Sequence, residues 1–320
     1  MRAMQVTEYD TPLEMREVET LTPGPGEVLI KVETCGLNFG DTLLIKGTYQ
    51  EKPPLPFTIG MELAGVIEAV GAGVRDLNRG QRVASYTGFG GLADYIALPA
   101  EICVPIPDQM TAVDAAAFLV AYGTSHVALD YKAHLKPAER LLVLGASGGV
   151  GLTAVELGKL MGAEVIACAR GGEKLEICSA AGADHLIDSQ TDDIRSIVKE
   201  LGGADVVYDP VGGDQFKAAL RACNPEARLL PLGFASGEVP QIPANILLVK
   251  NITVMGLYWG GYAKLNPKVL TDSFAVLFDW YAAGKLSPHV SHVLPLEEAN
   301  AALDLLRTRK ATGKVVVKVT

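Results

Sequence analysis

The sequence lacks the features of a membrane-spanning, secreted or nucleic-acid-binding protein. Its 320 residues include no apolar run of the ~18 residues that a spanning helix needs. The N-terminal stretch MRAMQVTEYD has no apolar signal core, and the formal net charge of −9 is opposite to the basic surface that nucleic acid requires. With 49% hydrophobic and 20% charged residues, the composition is that of a globular protein, and we expect it in the cytoplasm without membrane or nucleic-acid partners.

Cysteine and histidine are scarce where a metal site would need them. The five cysteines are odd in number, widely spaced and form no C-x-x-C pair, which excludes a disulfide framework and a four-cysteine zinc lobe. We expect reduced thiols in a reducing compartment. No histidine precedes His126. The cysteines are Cys35, Cys103, Cys168, Cys178 and Cys223.

Two sequence patterns divide the chain. Up to about residue 118, short strands separated by Gly and Pro indicate an irregular β-barrel domain. From about 120, strands alternate with helices, which predicts right-handed βαβ units and a parallel sheet. The tail has two helical segments and a strand that needs a partner sheet, so we expect it to return to the first domain. The predicted strands are 28–33, 63–70, 81–85, 92–98, 141–145, 164–169, 185–188, 205–209, 228–233, 252–259 and 313–319, and the predicted helices are 149–161, 172–181, 191–201, 213–222, 270–284 and 296–310.

These patterns predict an α/β protein of two domains. Residues 1–120, completed by 260–320, form the β-rich domain, and residues 121–259 form a doubly wound parallel sheet with helices. The strand 252–259 would lie at the edge of that sheet.

A glycine-rich loop, GASGGVG at 145–151, joins a predicted strand to a predicted helix. Ala146, Gly148 and Gly151 have the spacing of the dinucleotide fingerprint, with Ala in the first glycine position. Small residues permit the tight turn, backbone approaches a pyrophosphate, and the helix N-terminus presents N–H groups to the anion. We predict cofactor contacts from Ser147, Gly148, Gly149, Val150 and Gly151.

The same loop allows a different interpretation. Gly145, Ser147 and Gly149 also match G-x-S-x-G, the nucleophile elbow of α/β-hydrolases. Ser147 would then be a nucleophile with a downstream histidine, for which His289 and His292 are candidates. The additional glycines, Gly148 and Gly151, favour the first interpretation, in which the loop is a cradle for phosphate.

The residue after the second strand of the parallel sheet indicates the cofactor. An NAD site has Asp or Glu about 20 residues beyond the glycines, where it binds the ribose hydroxyls. Here Arg170 stands near that distance, and Lys174 follows one turn later. A cation suits a 2′-phosphate, so NADPH is favoured over NADH. The alternative is that both residues are surface charges.

Several motifs together resemble the medium-chain dehydrogenase/reductase superfamily, and within it the zinc-independent quinone oxidoreductases. The resemblance implies a GroES-like β-barrel catalytic domain, a Rossmann cofactor domain and a homodimer formed through the strand at 252–259. The motifs are CGLNFGD (35–41), GTYQEKPPLPFTIGMELAGVIEAVGAGV (47–74), the glycine loop, DPVGGD (209–214), PHVSHVLPLEEA (288–299) and KATGKVVV (310–317).

The zinc-dependent relatives have Cys-Gly-x-x-His-x-Asp and Gly-His-Glu motifs. This chain has Phe39 and Met61 in the two histidine positions. A catalytic zinc takes about three protein ligands, and Cys35 alone does not suffice. We therefore expect no metal.

Without a Lewis acid, the chemistry suits substrates that accept hydride readily, such as quinones and α,β-unsaturated carbonyls. The resemblance implies that Asn38, Asp41 and Tyr49 line the nicotinamide and substrate cleft. Asn38 would orient an oxygen, Tyr49 would donate a proton or hydrogen bond, and Asp41 would fix the loop. Structural roles stay open: a turn Asn, an Asp that caps a helix starting near Thr42, and a packing Tyr.

Further cofactor contacts follow from the resemblance and from strand ends. Thr124, in AYGTSHV, matches a family position near the nicotinamide amide and phosphates. Phe234 and Ala235 follow the fifth strand, whose C-terminal end should face the ligand. Ser189 stands where the family often has a Tyr on the adenosine phosphate. Lys310 and Lys314 could approach the cofactor or be surface charges.

The predicted function is an NADPH-dependent, metal-free quinone or enone reductase of the NADPH:quinone oxidoreductase type (EC 1.6.5). An acryloyl-CoA-type reductase is an alternative within the same class. A nucleotide-binding structural or regulatory protein and a Ser147 hydrolase are alternatives from other classes.

Overall fold

The computed structural model describes every residue from Met1 to Thr320. The chain divides into two compact units, the first made of Met1–Val120 with Pro288–Thr320 and the second of Ala121–Ser287. The strands are β1 (Arg2–Val6), β2 (Glu14–Glu17), β3 (Glu27–Leu37), β4 (Phe57–Thr58), β5 (Glu62–Val70), β6 (Arg82–Tyr86), β7 (Tyr95–Pro99), β8 (Cys103–Pro105), β9 (Arg140–Leu144), β10 (Glu164–Ala169), β11 (His185–Asp188), β12 (Ala204–Asp209), β13 (Cys223–Pro231), β14 (Thr253–Val254), β15 (Val290–Pro295) and β16 (Lys314–Lys318).

The helices fall mainly in the second unit. No helix is both long and apolar enough to cross a membrane. The α-helices are α1 (Phe39–Ile45), α2 (Ala112–Ala116), α3 (Leu119–His126), α4 (Gly149–Leu160), α5 (Gly172–Ala180), α6 (Ile194–Glu200), α7 (Gly213–Ala222), α8 (Ala244–Lys250), α9 (Tyr262–Leu265), α10 (Pro267–Ala282) and α11 (Ala299–Arg307). A π-helical turn, Val127–Lys132, continues α3, and 3₁₀ turns lie at Ala100–Ile102, Trp259–Gly261 and Leu296–Glu298.

In the first unit β3 is the central strand. It pairs antiparallel with β5, β7 and β16 within a sheet of order β15-β16-β3-β5-β6-β8. The β3–β5 register shifts between Leu29 and Ile30 and again between Val32 and Thr34, and such bulges bend a strand and increase its twist. A core of buried apolar side chains from these strands and from α1 and α11 lies against the sheet.

The C-terminal strand β16 lies beside the end of β3. Val316 is opposite Gly36, and β15 runs parallel to β16 on its other side. This register brings Lys314, the first residue of β16, to the point where β3 ends and α1 begins.

The second unit is a parallel six-stranded sheet with helices between its strands. Its order, β11-β10-β9-β12-β13-β14, is the Rossmann order, in which strand addition reverses between the first and fourth strands. Strands β9, β10 and β12 are buried along most of their length, as expected when helices cover both faces. The predicted α/β class with a doubly wound sheet is confirmed. Ligands of such sheets bind where β9 and β12 end.

The second unit extends beyond residue 259, the end predicted for it. Helix α10 belongs to this unit: Ser273 Oγ lies 2.9 Å from His126 Nδ1 on α3, and the Phe274 ring meets Trp259 edge-on with centroids 6.1 Å apart. The predicted boundary at 259–260 is therefore corrected to 287–288, because the buried face of α10 packs within this unit.

The edge strand predicted at 252–259 is also shorter than expected. Only Thr253–Val254 pairs with β13, opposite Arg228 and Leu229. Strand β13 ends at Pro231, which has no N–H to donate, so the ladder does not continue.

Candidate functional site

The glycine loop needs glycine at its two ends for steric reasons. Gly145 has a φ of +59°, and a Cβ there would lie 2.8 Å from Val211 Cγ2. A Cβ on Gly151 would lie 2.3 Å from the Gly145 carbonyl oxygen, so only glycine lets α4 lie this close to the strand. A Cβ on Gly148 would lie 3.3 Å from the same oxygen, a milder conflict. The N–H groups of the first turn of α4 have no partner within the helix and can bind an anion.

Ser147 is buried within this loop, with 7% of its surface exposed. A nucleophile elbow raises its serine on a strained turn. Ser147 is not among the residues with positive φ, and the strained position is Gly145 instead. His126 and His185, which lie in the same unit, bind Ser273 and Glu164. The loop geometry therefore favours the phosphate cradle over the hydrolase.

Arg170 and Ser189 follow adjacent strand ends. Arg170 comes directly after β10 and is exposed. The Ser189 N–H donates to the Ala169 carbonyl oxygen at 2.8 Å, which holds the ends of β10 and β11 together. Lys174 is half-buried in the first turn of α5. The structure thus brings Arg170 and Ser189 to one edge of the sheet.

Asp188 fixes the turn that carries Arg170. Its Oδ1 accepts the N–H groups of Gln190 and Gly171, both at 3.0 Å. These backbone donors, Gln190 first, hold the pKa of the Asp188 carboxyl below its ordinary value. The ionised carboxylate therefore stabilises the turn at neutral pH.

The loop after β12 lies against the glycine loop. Asp209 is fully buried at the end of β12, and its Oδ1 accepts the N–H groups of Val211 at 2.7 Å and Gly212 at 2.9 Å. Its Oδ2 has no hydrogen-bond partner, and burial raises the pKa of this carboxyl to about 6. Asp209 therefore shapes the turn whose Val211 side chain abuts Gly145.

Phe234 and Ala235 rest on that same loop. The Ala235 N–H donates to the Pro210 carbonyl oxygen at 3.1 Å, and a Cβ on Gly212 would lie 3.1 Å from Phe234 Cδ1. The loops that follow β9, β12 and β13 are therefore in continuous contact. Thr124 is half-buried on α3. The structure brings the glycine loop and Phe234–Ala235 together at the strand ends.

A buried polar network joins β3, β5 and β16 in the first unit. Lys314 Nζ donates to Glu62 Oε1 at 2.6 Å and to Asn38 Oδ1 at 2.7 Å. Its third proton goes to the Leu37 carbonyl oxygen at 2.9 Å. Glu62 Oε2 accepts the Val120 N–H at 3.0 Å, and the side chains of Lys314 and Glu62 are 5% and 1% exposed. Lys314 is thus a buried structural cation and not a surface charge.

Asn38 uses both ends of its amide within this network. Its Nδ2 donates to Glu62 Oε1 at 2.9 Å while its Oδ1 accepts from Lys314. Its second Nδ2 proton faces the Gly36 carbonyl oxygen at 3.4 Å, so three partners fix the orientation of this amide. The arrangement favours a positioning role for Asn38.

Asp41 lies in the first turn of α1, which begins at Phe39 and not near Thr42. Its Oδ2 accepts the Asn38 N–H at 2.7 Å, whereas its buried Oδ1 has no hydrogen-bond partner. Burial, with a smaller contribution from the nearby Glu62 carboxylate, raises the pKa of Asp41 to about 7. Asp41 can therefore hold a proton near neutral pH.

At the positions that correspond to the motifs of the zinc-dependent relatives, this chain has side chains that do not form a metal site. Phe39 is 43% exposed, and Met61 is buried where a Cβ on Gly40 would lie 2.7 Å from its Cε. The Cys35 thiol is fully buried, and burial raises its pKa well above the ordinary value, so it is a poor nucleophile and ligand. No three or more His, Cys, Asp or Glu side chains are grouped where they could hold a metal ion.

Tyr49 and Lys310 also lie in the first unit. Tyr49 is half-buried after α1, and a Cβ on Gly40 would lie 3.3 Å from its Cε2. The ring therefore lies against the first turn of α1, at Gly40, the residue that precedes Asp41. Lys310 is exposed just beyond α11.

Sequence reasoning missed three residues that organise these regions: Glu62, Lys314 and Asp209. From sequence, Lys314 is a candidate only for a cofactor contact or a surface charge, and Glu62, which follows Met61, only matches the last residue of the Gly-His-Glu motif. Asp209 could have been found, because it ends the fourth strand at the point where strand order reverses. Nothing in the local sequence of Glu62 or Lys314 indicates that the two meet.

Known protein families share this organisation. The model of the alcohol dehydrogenase GroES-like domain matches residues 24–108, and that of the zinc-binding dehydrogenases matches residues 149–274. The quinone oxidoreductase-like protein 2 homolog of Nematostella vectensis is 41% identical over 99% of this chain and 88% of its own length.

Solved structures of quinone oxidoreductases are also similar to this chain. The Escherichia coli quinone oxidoreductase in complex with NADPH is 28% identical with a TM-score of 0.92, over 100% of both chains. The quinone oxidoreductase of Thermus thermophilus, solved alone and with NADPH, is 32% identical with a TM-score of 0.89, again over 100% of both chains. The chain therefore belongs to the medium-chain dehydrogenase/reductase superfamily and, within it, to the quinone oxidoreductase-like proteins.

Proposed function

We propose that this protein is an NADPH-dependent oxidoreductase that transfers hydride to quinones or other activated unsaturated carbonyls without a metal. The observation that carries this proposal is the glycine cradle at the start of α4, with the exposed cation Arg170 at the end of the next strand. Related oxidoreductases solved with NADPH support the same cofactor. The enone and acryloyl-CoA-type reductases remain variants of this proposal that differ in substrate.

The residues present fit NADPH. Gly151 lets α4 pack close to the strand, since a Cβ there would lie 2.3 Å from the Gly145 carbonyl oxygen, and Gly148 is the position where bare backbone would approach a pyrophosphate. The N–H groups of Gly149, Val150 and Gly151 would hold that pyrophosphate at the positive end of α4. Arg170 would hold the 2′-phosphate. Lys174, one turn later in the chain, and Ser189, at the adjacent strand end, would assist it. Thr124, Phe234, Ala235 and Lys310 stay as proposed contacts to the remainder of the cofactor.

The residues of the first unit divide into positioning groups and one candidate for substrate contact. When bound, the reduced nicotinamide supplies the hydride. The side chains of Asn38 and of the buried Asp41 make hydrogen bonds at the start of α1, so we assign them to holding that turn. Tyr49 is half-buried against the first turn of α1 and would donate a hydrogen bond or proton to the substrate oxygen. Asp41 would hold a proton at Oδ1, since its pKa is about 7.

A metal-free reaction is supported by the side chains at the positions that correspond to the zinc ligands of the zinc-dependent relatives. Met61 packs on Gly40, and the Cys35 thiol is buried with a raised pKa. With no Lewis acid to polarise it, the acceptor must stabilise its own developing negative charge, which quinones and conjugated carbonyls do. The proposal therefore predicts poor activity on unactivated ketones and alcohols.

The central test is an NADPH oxidation assay with 1,4-benzoquinone, 9,10-phenanthrenequinone and an enone. The proposal expects oxidation of NADPH with at least one of them, unchanged by a metal chelator. Binding of NADPH without oxidation of any acceptor would instead support the nucleotide-binding structural or regulatory role. Labelling of Ser147 by a fluorophosphonate would support the hydrolase.

The cofactor assignment has its own test. Arg170→Ser should raise the Kd for NADPH about tenfold or more, as expected for loss of a hydrogen bond to a charged group, and should leave the Kd for NADH nearly unchanged. Arg195→Ser, at an exposed arginine on α6, serves as the matched control. An equal effect of Arg170→Ser on both cofactors would remove the 2′-phosphate assignment.

We also propose a homodimer that forms beside β14, the last strand of the parallel sheet. This strand has only one partner strand, β13, so its outer edge has unpaired backbone groups. The neighbouring helix α8 has Leu248 and Val249 each 77% exposed. Exposed apolar side chains next to an open sheet edge are typical of a surface that pairs with a second copy of the chain.

A further inference from the structure

Three buried hydroxyl groups lie behind the glycine loop in the second unit. Tyr208 projects from β12, Ser125 from α3 and Thr153 from α4, and their exposed fractions are 0%, 0% and 7%. Ser125 Oγ lies 2.8 Å from Tyr208 Oη and 2.8 Å from Thr153 Oγ1. The three groups, which we name the hydroxyl ladder, therefore connect a strand and two helices by side-chain hydrogen bonds.

The hydroxyl ladder ends on the backbone of the cofactor loop. Ser125 Oγ donates to the Val150 carbonyl oxygen at 2.9 Å, and Thr153 Oγ1 lies 3.0 Å from the same oxygen and 3.4 Å from that of Gly149. Thr153 Oγ1 also lies 3.1 Å from the Ala121 carbonyl oxygen of α3. The Gly149 and Val150 carbonyls belong to the first residues of α4.

One arrangement of protons satisfies every member of the hydroxyl ladder. Tyr208 and Thr153 both donate to Ser125, and Ser125 donates to the Val150 carbonyl oxygen. A buried hydroxyl without a partner is costly, so this chain of bonds resists any displacement of the first turn of α4. The peptide groups that carry the Gly149 and Val150 carbonyls also carry the N–H groups of Val150 and Gly151.

We propose that Tyr208, Ser125 and Thr153 are positioning residues for the pyrophosphate of the cofactor. They hold the first peptide planes of α4 so that the N–H groups of this turn converge on one anion. The inference rests on the proposed function, because it assigns a pyrophosphate to that turn. Convergence matters because a small misplacement of fixed donors weakens every bond to the same anion at once.

A role at the pyrophosphate predicts equal effects on the two cofactors, which separates it from the 2′-phosphate role proposed for Arg170. NADPH and NADH share the pyrophosphate and differ in the 2′-phosphate. Loss of the Tyr208 hydroxyl should therefore raise the Kd for both cofactors by the same factor, about three- to tenfold for one hydrogen bond. Arg170→Ser, by contrast, should affect NADPH alone.

Tyr122 provides a matched control for this experiment. It is also a buried tyrosine on α3 that reaches α4, but its hydroxyl donates to Glu156 Oε2 at 2.5 Å, beyond the first turn of that helix. Tyr122→Phe should lower the unfolding free energy of the cofactor-free protein without changing either Kd. Tyr208→Phe should lower stability and raise both Kd values, with kcat at saturating NADPH unchanged.

A second readout needs no cofactor. Hydrogen exchange of the amides at 152–154 should be faster in Tyr208→Phe than in the wild type, and unchanged in Tyr122→Phe. Thr153→Val should behave like Tyr208→Phe, whereas Thr153→Ser, which keeps the hydroxyl, should restore wild-type Kd values.

Three results would overturn the inference: an unchanged Kd in Tyr208→Phe, an equal rise of Kd in Tyr122→Phe, or unchanged local exchange in Tyr208→Phe. If wild-type protein binds and oxidises NADPH in the same experiments, the proposed function stands and the positioning role does not. Wild-type protein that binds neither cofactor would remove the proposed function itself.

Discussion

At the scale of single residues, the main finding is that Lys314 is buried and fully hydrogen-bonded. One ammonium serves Glu62, Asn38 and the backbone at the end of β3. Taking a lysine and a glutamate out of water is costly, and their attraction offsets that cost only when both are present with good geometry. The pair therefore fixes the position of the turn that contains Asn38 and Asp41.

Lys314→Met should destabilise the protein strongly. The change leaves Glu62 as a buried carboxylate without its cation, and breaking such a pair lowers the unfolding free energy by about 3–5 kcal/mol. Urea unfolding followed by fluorescence measures this loss. Lys318→Met, at an exposed lysine of the same strand, should stay within about 0.5 kcal/mol of the wild type. Similar losses in both variants would contradict a buried pair.

Asp41 should make stability depend on pH in a defined direction. Its pKa is about 7 in the folded protein against 3.8 for the ordinary group, so between these values the folded state binds the additional proton. The unfolding free energy therefore falls as pH rises across that window, by at most about 1.4 kcal/mol per pH unit, and levels off above the folded pKa.

Asp41→Asn removes this proton uptake. The stability of the variant relative to the wild type should rise between pH 4 and pH 7, because only the wild type has the Asp41 contribution that is lost there. Chemical unfolding of both proteins across this range measures the difference, in which the titration of Asp209 and other shared groups cancels. Parallel stability curves for the two proteins would show that Asp41 does not titrate in the window.

At the scale of elements, the glycine spacing of the loop has a steric cause in the structure. Gly151 is required because α4 crosses the end of β9 at the Gly145 carbonyl, where a Cβ would come within 2.3 Å. The same closeness places the first turn of α4 at the end of the sheet where strand order reverses. The cradle is therefore a property of helix–strand packing and not of loop flexibility.

Gly151→Ala should damage both packing and cofactor binding. The methyl group collides with backbone, so α4 must shift at a cost of about 1–3 kcal/mol, and its N–H groups lose their alignment. Thermal unfolding and NADPH titration measure the two effects. Gly172→Ala is the steric control: a Cβ there meets nothing within 4 Å, and the substitution should leave stability unchanged or raise it by up to about 1 kcal/mol.

At the scale of the whole molecule, the proposed dimer depends on the sheet edge and the apolar side chains beside it. The double substitution Leu248→Glu with Val249→Glu places two like charges on that surface and should shift the protein from dimer to monomer. Light scattering after size-exclusion chromatography measures the mass. Because both side chains are exposed in the single chain, unfolding of the monomer should be unaffected. A wild-type protein of monomer mass would contradict the proposal.

Much of the architecture was predictable because it depends on local pattern. Strands β10 and β11 coincide with the predicted 164–169 and 185–188. The apolar run of β10 is typical of a strand buried in a parallel sheet. The predictions that differ, the strand at 252–259 and the boundary at 259, depend on distant partners. Pro231 on the neighbouring strand limits the first, and packing of α10 decides the second.

The sequence alone determined the family, the doubly wound sheet and the glycine cradle, because each depends on residue types at short, regular spacings. Only the tertiary structure decided what the charged and hydroxyl groups do. Lys314 meets Glu62 through strand register, Asp41 loses its solvent by burial, and Tyr208 reaches α4 through Ser125 on another helix. These contacts join residues far apart in the chain, and local pattern carries no information about such pairs.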